Sequence, residues 1–328
     1  MSAFRPVEPW TIAAIGAVLL VLLVGGYALS RRAPGGWVPK VGWTILVAGV
    51  PAIERLTARE PAFVRMLALI AFALVTLKLI AVARERAAGM PPLSFTAWLA
   101  FSSAWLGMRP RLFISYGAPA RDGAPVLLRR GAVNLALGLA CVALARAVWS
   151  TTESRWAATI PLLVGLSLCL HFGLGTLLAG VWRLRGVETD AVFRAPLRSE
   201  NLAEFWSKRW NLGFSEMTAA LIYRPLSRRV GSTAALLAGF LASGLLHEMA
   251  ISVPVRAGFG LPTLYFVLHG VLVGVERRLS QAGRPLSGRL GRAWSMFWIL
   301  APLPLLFHPP FLAGVVWPLL GVPAAHEP

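Results

Sequence analysis

His247 stands deep inside an apolar run, A-A-L-L-A-G-F-L-A-S-G-L-L-H-E over 234–248. An ionisable side chain at membrane depth is costly and marks a functional site by default. The run follows an aromatic and basic segment too polar for lipid, R-S-E-N-L-A-E-F-W-S-K-R-W-N-L-G-F-S-E-M-T-A-A-L-I-Y-R-P-L over 198–226. An imidazole in a water-poor site, next to a segment rich in hydrogen-bond donors, suits one kind of chemistry: it can deprotonate a hydroxyl so that the oxygen attacks an activated carbonyl. The competing explanation is a histidine bonded to a neighbouring helix, and the residues alone leave both open.

Other chemistries lack their residues. Glu248 follows His247, but Ile251 stands where a zinc protease needs its second histidine. No G-x-S-x-G elbow, P-loop or dinucleotide fingerprint occurs. Cys141 and Cys169 fall inside apolar runs without C-x-x-C spacing, so neither a disulfide framework nor a zinc site is expected. The chemistry calls for no metal and no cofactor.

The chain that must position these residues has 328 residues, 57% of them hydrophobic and 14% charged, with a mean hydropathy of +0.67. A soluble domain carries about 25% charged residues, so this composition reads as an all-α polytopic membrane protein. Runs of about 20 apolar residues suffice to cross a bilayer. Such runs cover Trp10 to Leu29, Trp37 to Ile53, Ala62 to Ala83, Gly131 to Trp149, Trp156 to Trp182, Ser232 to Val253 and Phe259 to Val275. A last one begins near Ala293 and is broken by Pro302, Pro304, Pro309 and Pro310, either a kinked span or a re-entrant turn. About eight spans plus interfacial helices are therefore expected, in one domain over 1–328. The first run is long, with a weakly basic start, and reads as a retained helix rather than a signal peptide.

The formal charge of +18 would suggest nucleic acid in a soluble chain, but here the cations sit between apolar runs. With the N-terminus outside, inner loops hold 24 Lys and Arg, among them Arg31, Arg32 and Lys40, and outer segments hold 5. That bias sets topology and favours anionic lipid headgroups as partners, not nucleic acid. Leu93 to Gly107 is apolar but short, and is expected on the inner interface with Trp98 and Trp105 at headgroup depth.

Within the polar segment, Asn201 has capping-box spacing to Glu204. Leu202, Phe205, Trp206 and Arg209 then recur at i, i+3, i+4 and i+7, as in a helix lying under the headgroups with Arg209 snorkelling outward. Gly213 is expected to end or bend it and leave Asn211 near the turn; Tyr223 to Pro225 would close a second short segment. In the following span, Ser232, Gly239, Ser243, His247 and Ala250 share one side, a stripe small enough for a helix or a flat chain to approach.

Three motifs in order, Glu204-Phe205-Trp206-Ser207-Lys208-Arg209-Trp210-Asn211, Tyr223-Arg224-Pro225-Leu226 and Ser243-Gly244-Leu245-Leu246-His247-Glu248, resemble the wax-synthase branch of the membrane-bound O-acyltransferases (MBOAT). Phe266, Gly270 and Glu276 continue the similarity, which covers 196–279, about a quarter of the chain. The resemblance implies an acyltransferase whose signature residues are His247 and, 36 residues earlier and closer to the cytoplasm, Asn211. It further implies a long-chain acyl thioester, acyl-CoA as co-substrate, and a long-chain alcohol as acceptor, giving a wax ester. On that basis His247 is the expected base, and Asn211 positions substrate or steadies the oxyanion.

The substrate-binding candidates are Trp206, Arg209, Trp210, Tyr223, Arg224, Ser243 and Glu248. Arg194, Arg198, Lys208, Arg209, Arg224, Arg228 and Arg229 could meet CoA phosphates, although for any single one of them the inside-positive bias is the better explanation. Trp206 and Trp210 read first as interfacial anchors and only second as surfaces for substrate. Glu248 is expected either to orient His247 or to pair with Arg256. His171 and His269 read as packing or substrate-lining residues, and Asn134 and Arg146 as bonds across helices. Other acceptors (a diglyceride, a sterol-like alcohol, a glycan or natural-product hydroxyl) and a lipid transporter or scaffold using His247 as a proton relay complete the alternatives. The compact, Arg- and Ala-rich chain points to a bacterial inner membrane.

Overall fold

A backbone in lipid must satisfy its own N–H and C=O groups, and in a single segment only a helix does so. The computed structural model describes residues 2–31 and 37–321, and every regular element among them is helical. Arg32, counted with the first inner loop, lies outside the described residues.

Helices α1 (Pro9–Arg31), α2 (Trp37–Leu56) and α3 (Ala62–Ala87) pack together, and a ten-residue helix, α4 (Phe95–Ala104), follows. Next come two hairpins. One pairs α5 (Ala124–Thr152) with α6 (Arg155–Leu184); the other pairs α9 (Ser232–Val255) with α10 (Leu261–Gln281). Between the hairpins run α7, whose first turn Leu202–Glu204 widens into a π turn at Phe205–Arg209, and α8, built of Leu212–Thr218, a π turn at Ala219–Tyr223, and Arg224–Val230. The chain closes with α11 (Gly288–Leu306) and α12 (Pro309–Leu320), bent by 68° where the prolines fall.

Five of these helices, α1, α3, α5, α6 and α9, are long and apolar enough to cross a membrane, and the bent α11–α12 pair makes a sixth if it is one span. The other expected spans, α2 and α10, are helices of 20 and 21 residues that do not reach that apolar content. The chain is thus an integral, multi-pass membrane protein whose longest helices coincide with the runs expected from hydropathy.

Charge placement agrees with the alternation of spans. Arg59 reaches Glu8 at 3.1 Å and Arg256 donates to the Ala58 carbonyl at 2.9 Å, so residues expected on the outer side meet at one end. At the other end Arg183 donates to the Asp122 carbonyl at 2.6 Å and Arg121 to that of Gly186 at 3.0 Å. The α5–α6 hairpin closes on small residues: a Cβ on Gly138 would sit 2.7 Å from the Cys169 nitrogen. Asn134 bonds across it to the Phe172 carbonyl at 3.2 Å, and Arg146 reaches the Leu319 carbonyl at 3.1 Å.

One expectation is corrected here. Trp98 and Trp105 are not exposed headgroup anchors; both are buried in the protein core, with the Trp98 indole donating to the Leu23 carbonyl at 2.8 Å. Ten helical residues rise only about 15 Å, too little to reach across a bilayer, so α4 is surrounded by α1 and α3 instead.

Candidate functional site

The site starts from the polar segment. Asn201 caps α7 by accepting the Glu204 N–H at 2.8 Å, while the Glu204 carboxylate takes the Glu200 N–H at 2.8 Å instead of returning to the cap residue. That N–H, followed by the nearby Arg209 guanidinium, holds the Glu204 carboxyl below the usual carboxylate range. Glu276 on α10 accepts the N–H groups of Leu202 at 2.7 Å and Ala203 at 2.8 Å, and the Trp294 indole at 2.9 Å. Free N–H groups at a helix start attract a carboxylate, and here that attraction docks α7 onto α10.

The docking turns the apolar stripe of this helix into the protein and corrects the expected path of Arg209. Leu202 and Phe205 are buried in the protein, and Arg209 does not snorkel: it turns back to Glu204 at 2.6 Å. Nor does the chain close at Tyr223 to Pro225, where α8 continues through its π turn.

Between α7 and α8 the backbone reverses at Asn211, whose φ of 41° is left-handed. Asparagine tolerates this conformation better than most residues. Its Oδ1 caps α8 by accepting the Phe214 N–H at 3.3 Å, so the Nδ2 amide is left as a donor. Asn211 itself makes the turn; Gly213 lies in the first turn of α8.

On α9, His247 Nδ1 lies 2.7 Å from the Ser243 carbonyl. A carbonyl only accepts, so the neutral ring carries its proton on Nδ1, and the lone pair is on Nε2. Nε2 has no hydrogen-bond partner among the described residues. The ring is held against Phe266, with centroids 4.2 Å apart, and meets Phe214 edge-on at 6.4 Å.

His247 and Asn211 line one cavity of about 320 Å³ between α7, α8, α9 and α10. Trp206, Trp210, Tyr223 and Ser243 line it as well, and Gly239 and Ser243 show that the small face of α9 opens onto it. Both π turns of the polar segment contribute wall residues, Trp206 and Ser207 from one and Ala219 and Tyr223 from the other. Such widened turns shift side chains off the regular helical register and are frequent at functional sites. Trp206 packs against Phe240, Phe266 and His269, and Trp210 against Phe205, Phe193 and His171, so both are wall residues rather than membrane anchors. His269 is fully buried behind Trp206, and His171 stands behind Trp210.

Three candidates fall outside the wall: Arg209, engaged with Glu204; Arg224, on the exposed side of α8; and Glu248. Arg256 bonds to Glu54 and Ala58, leaving Glu248 to accept the N–H of Gly260 at 2.6 Å and both the N–H and hydroxyl of Thr263, at 3.1 and 2.8 Å. Glu248 thus ties the start of α10 to α9. Glu248→Ala is expected to act on stability, costing about 1–3 kcal/mol for the donors left unpaired, and thermal unfolding in detergent will register it as a lowered midpoint.

Sequence reasoning missed Arg277. Among the described residues it is the only Lys, Arg, Asp or Glu in the cavity wall, and its guanidinium lies 5.9 Å from the Tyr223 ring centre. The available signal was its place on α10 just past Glu276, on the face toward the polar segment.

Residues 189–268 match the family described as "Membrane bound O-acyl transferase family". The chain is 31% identical over 164 residues to "Long-chain-alcohol O-fatty-acyltransferase" of Simmondsia chinensis, covering 42% of this chain and 47% of the relative. It is 31% identical over 145 residues to "Probable long-chain-alcohol O-fatty-acyltransferase 2" of Arabidopsis thaliana, covering 40% and 42%, and 34% identical over 133 residues to the relative numbered 1 from the same plant, covering 36% and 39%. The matched part spans about half the length of these curated relatives or less. The family match includes His247, Asn211 and all of the cavity wall except Val273 and Arg277, so the cavity lies almost wholly in the part of the chain that is similar to the membrane bound O-acyl transferase family and to these long-chain-alcohol relatives.

Proposed function

We propose that this chain is a membrane-embedded O-acyltransferase that moves a long-chain acyl group from acyl-CoA to the hydroxyl of a long-chain alcohol. The observation that carries this reading is the shared cavity, which presents an unpartnered imidazole Nε2 and a free amide donor between apolar walls. The printed names of the relatives support the acceptor class. A cavity that is mostly apolar with a few placed polar groups is the usual form of a small-molecule site.

In the proposed reaction, His247 Nε2 takes the proton of the alcohol as its oxygen attacks the thioester carbonyl carbon. The oxyanion of the tetrahedral intermediate accepts a hydrogen bond from Asn211 Nδ2. The carbon–sulfur bond then breaks, and the departing thiolate takes the proton back from the imidazolium. Ester and thiol leave, and His247 is neutral again. The test is expression of the full chain in a host without wax esters, with a long-chain alcohol supplied and neutral lipids analysed by mass spectrometry. Wax esters are the expected product. Esters of diglyceride or sterol with no wax ester would move the acceptor, and no new ester with any of these alcohols would overturn the reading.

Arg277 suggests how the donor is held. The cavity runs along α9 from Ala235 to His247, twelve residues or about 18 Å. Arg277 lines it together with Tyr223, on the α10 end assigned to the inner side, where a cation would meet a phosphate of CoA. Arg277→Gln is expected to raise the KM for acyl-CoA about tenfold, ~1.4 kcal/mol, and to leave the KM for a phosphate-free acyl-pantetheine unchanged. Steady-state kinetics with the two donors separates this from a general loss of fit. The inner membrane of a bacterium remains our proposal for the setting, supported by the compact, Arg- and Ala-rich sequence.

A further inference from the structure

Lys78 lies near the centre of α3 and is fully buried. Among the described residues no carboxylate is within ion-pair distance of it. Its Nζ instead donates to two backbone carbonyls, of Trp105 at 2.8 Å and of Gly107, and lies 3.9 Å from the centre of the Phe101 ring. Both carbonyls belong to the irregular stretch after α4, which begins with Trp105 in an extended conformation. Irregular backbone away from water needs donors from elsewhere, and Lys78 supplies them.

On its other side, this stretch is the surface on which the Asn211 turn rests. A Cβ added to Gly213 would sit 2.7 Å from the Gly107 Cα and 3.1 Å from the Leu106 carbonyl oxygen, so the two backbones touch. Gly213 is two residues past Asn211, in the helical turn that Asn211 caps. Two further backbone ties, Leu212 N–H to the Val192 carbonyl at 2.9 Å and Arg194 N–H to the Arg209 carbonyl at 2.7 Å, hold the turn from another direction. Lys78 is not in the cavity wall.

We propose that Lys78 is a positioning residue: through the Leu106–Gly107 backbone and Gly213 it sets where the Asn211 amide stands in the cavity. The inference rests on the acyltransferase reading above. A methionine at 78 keeps the bulk of the side chain but leaves the carbonyls of Trp105 and Gly107 without their donor, and the stretch they belong to is then free to shift. A misplacement of about 1 Å can cost roughly 10²-fold in rate.

The test is a double-mutant cycle on the purified full chain in lipid nanodiscs, with acyl-CoA and a long-chain alcohol. Lys78→Met is expected to lower kcat by about 10- to 100-fold with the KM for either substrate changed less than about twofold. In the Asn211→Asp background, whose amide donor is already gone, Lys78→Met is expected to cause no further loss, because coupled residues fail to add. Losses that add, a raised KM with kcat intact, or unchanged kinetics would each overturn the proposal. If Lys78→Met does not accumulate, Gly213→Ala perturbs the same contact from the other side, and the same cycle with Asn211→Asp decides. A wild-type chain that esterifies no alcohol removes the acyltransferase reading and this inference together; an active wild type with additive losses removes this inference alone.

Discussion

His247→Ala is expected to lower ester formation by about 10²- to 10⁴-fold, the range for a lost general base, with protein abundance near that of the wild type. The size follows from the tautomer. The Ser243 carbonyl holds the proton on Nδ1, so the imidazole presents a lone pair on Nε2 in the cavity it shares with the Asn211 amide. Phe266 and Phe214 restrict the ring, so little reorganisation precedes proton transfer. Alanine removes the base and the wall contact with Phe266, but breaks no ion pair. Neutral-lipid mass spectrometry at matched expression measures the effect, and wild-type ester levels from the variant would make His247 a packing residue.

Asn211 carries the second large effect, and its two ends are separable. The Oδ1 caps α8 and the Nδ2 is the free donor, so Asn211→Asp retains an acceptor for the Phe214 N–H and removes the amide proton. We expect kcat to fall by about 10²–10³-fold, ~3–4 kcal/mol, as for a lost oxyanion donor, with the unfolding midpoint close to that of the wild type. Asn211→Ala also loses the cap, about 1 kcal/mol, and removes the polar side chain that lets asparagine tolerate a left-handed φ of 41°, which adds to the loss. It should therefore be equally slow and visibly less stable. Activity retained in Asn211→Asp would assign the residue to the turn alone.

Several residues show how far local reasoning reaches. The capping role of Asn201 was legible because a cap is decided within four residues. The reciprocal half was not: the Glu204 carboxylate chose the N–H of Glu200, and Glu276, distant in sequence, took the helix start. Trp98 and Trp105 misled because tryptophan suits both a headgroup region and a protein core, and only the packing of α1 and α3 around α4 tells which. Neither partner expected for Glu248, His247 or Arg256, takes its carboxylate: neighbours on a helix point about 100° apart, Arg256 turns to Glu54 and Ala58, and the carboxylate ends on α10.

By itself the sequence determined the helical, membrane-spanning character and the order of motifs that brings a polar segment beside a histidine-bearing helix. These rest on how each residue partitions between water and lipid and on bonds closed within a turn or two, quantities that accumulate along the chain without reference to distant partners. Tertiary structure decided the rest: that His247 and Asn211 open onto one cavity, that Arg277 rather than Arg209 or Arg224 lines it, and that Lys78 holds the backbone beneath the Asn211 turn. Each of these is a contact between elements far apart in sequence, and whether a given cation meets a carboxylate, a carbonyl or an open cavity depends on which helix face is turned toward it.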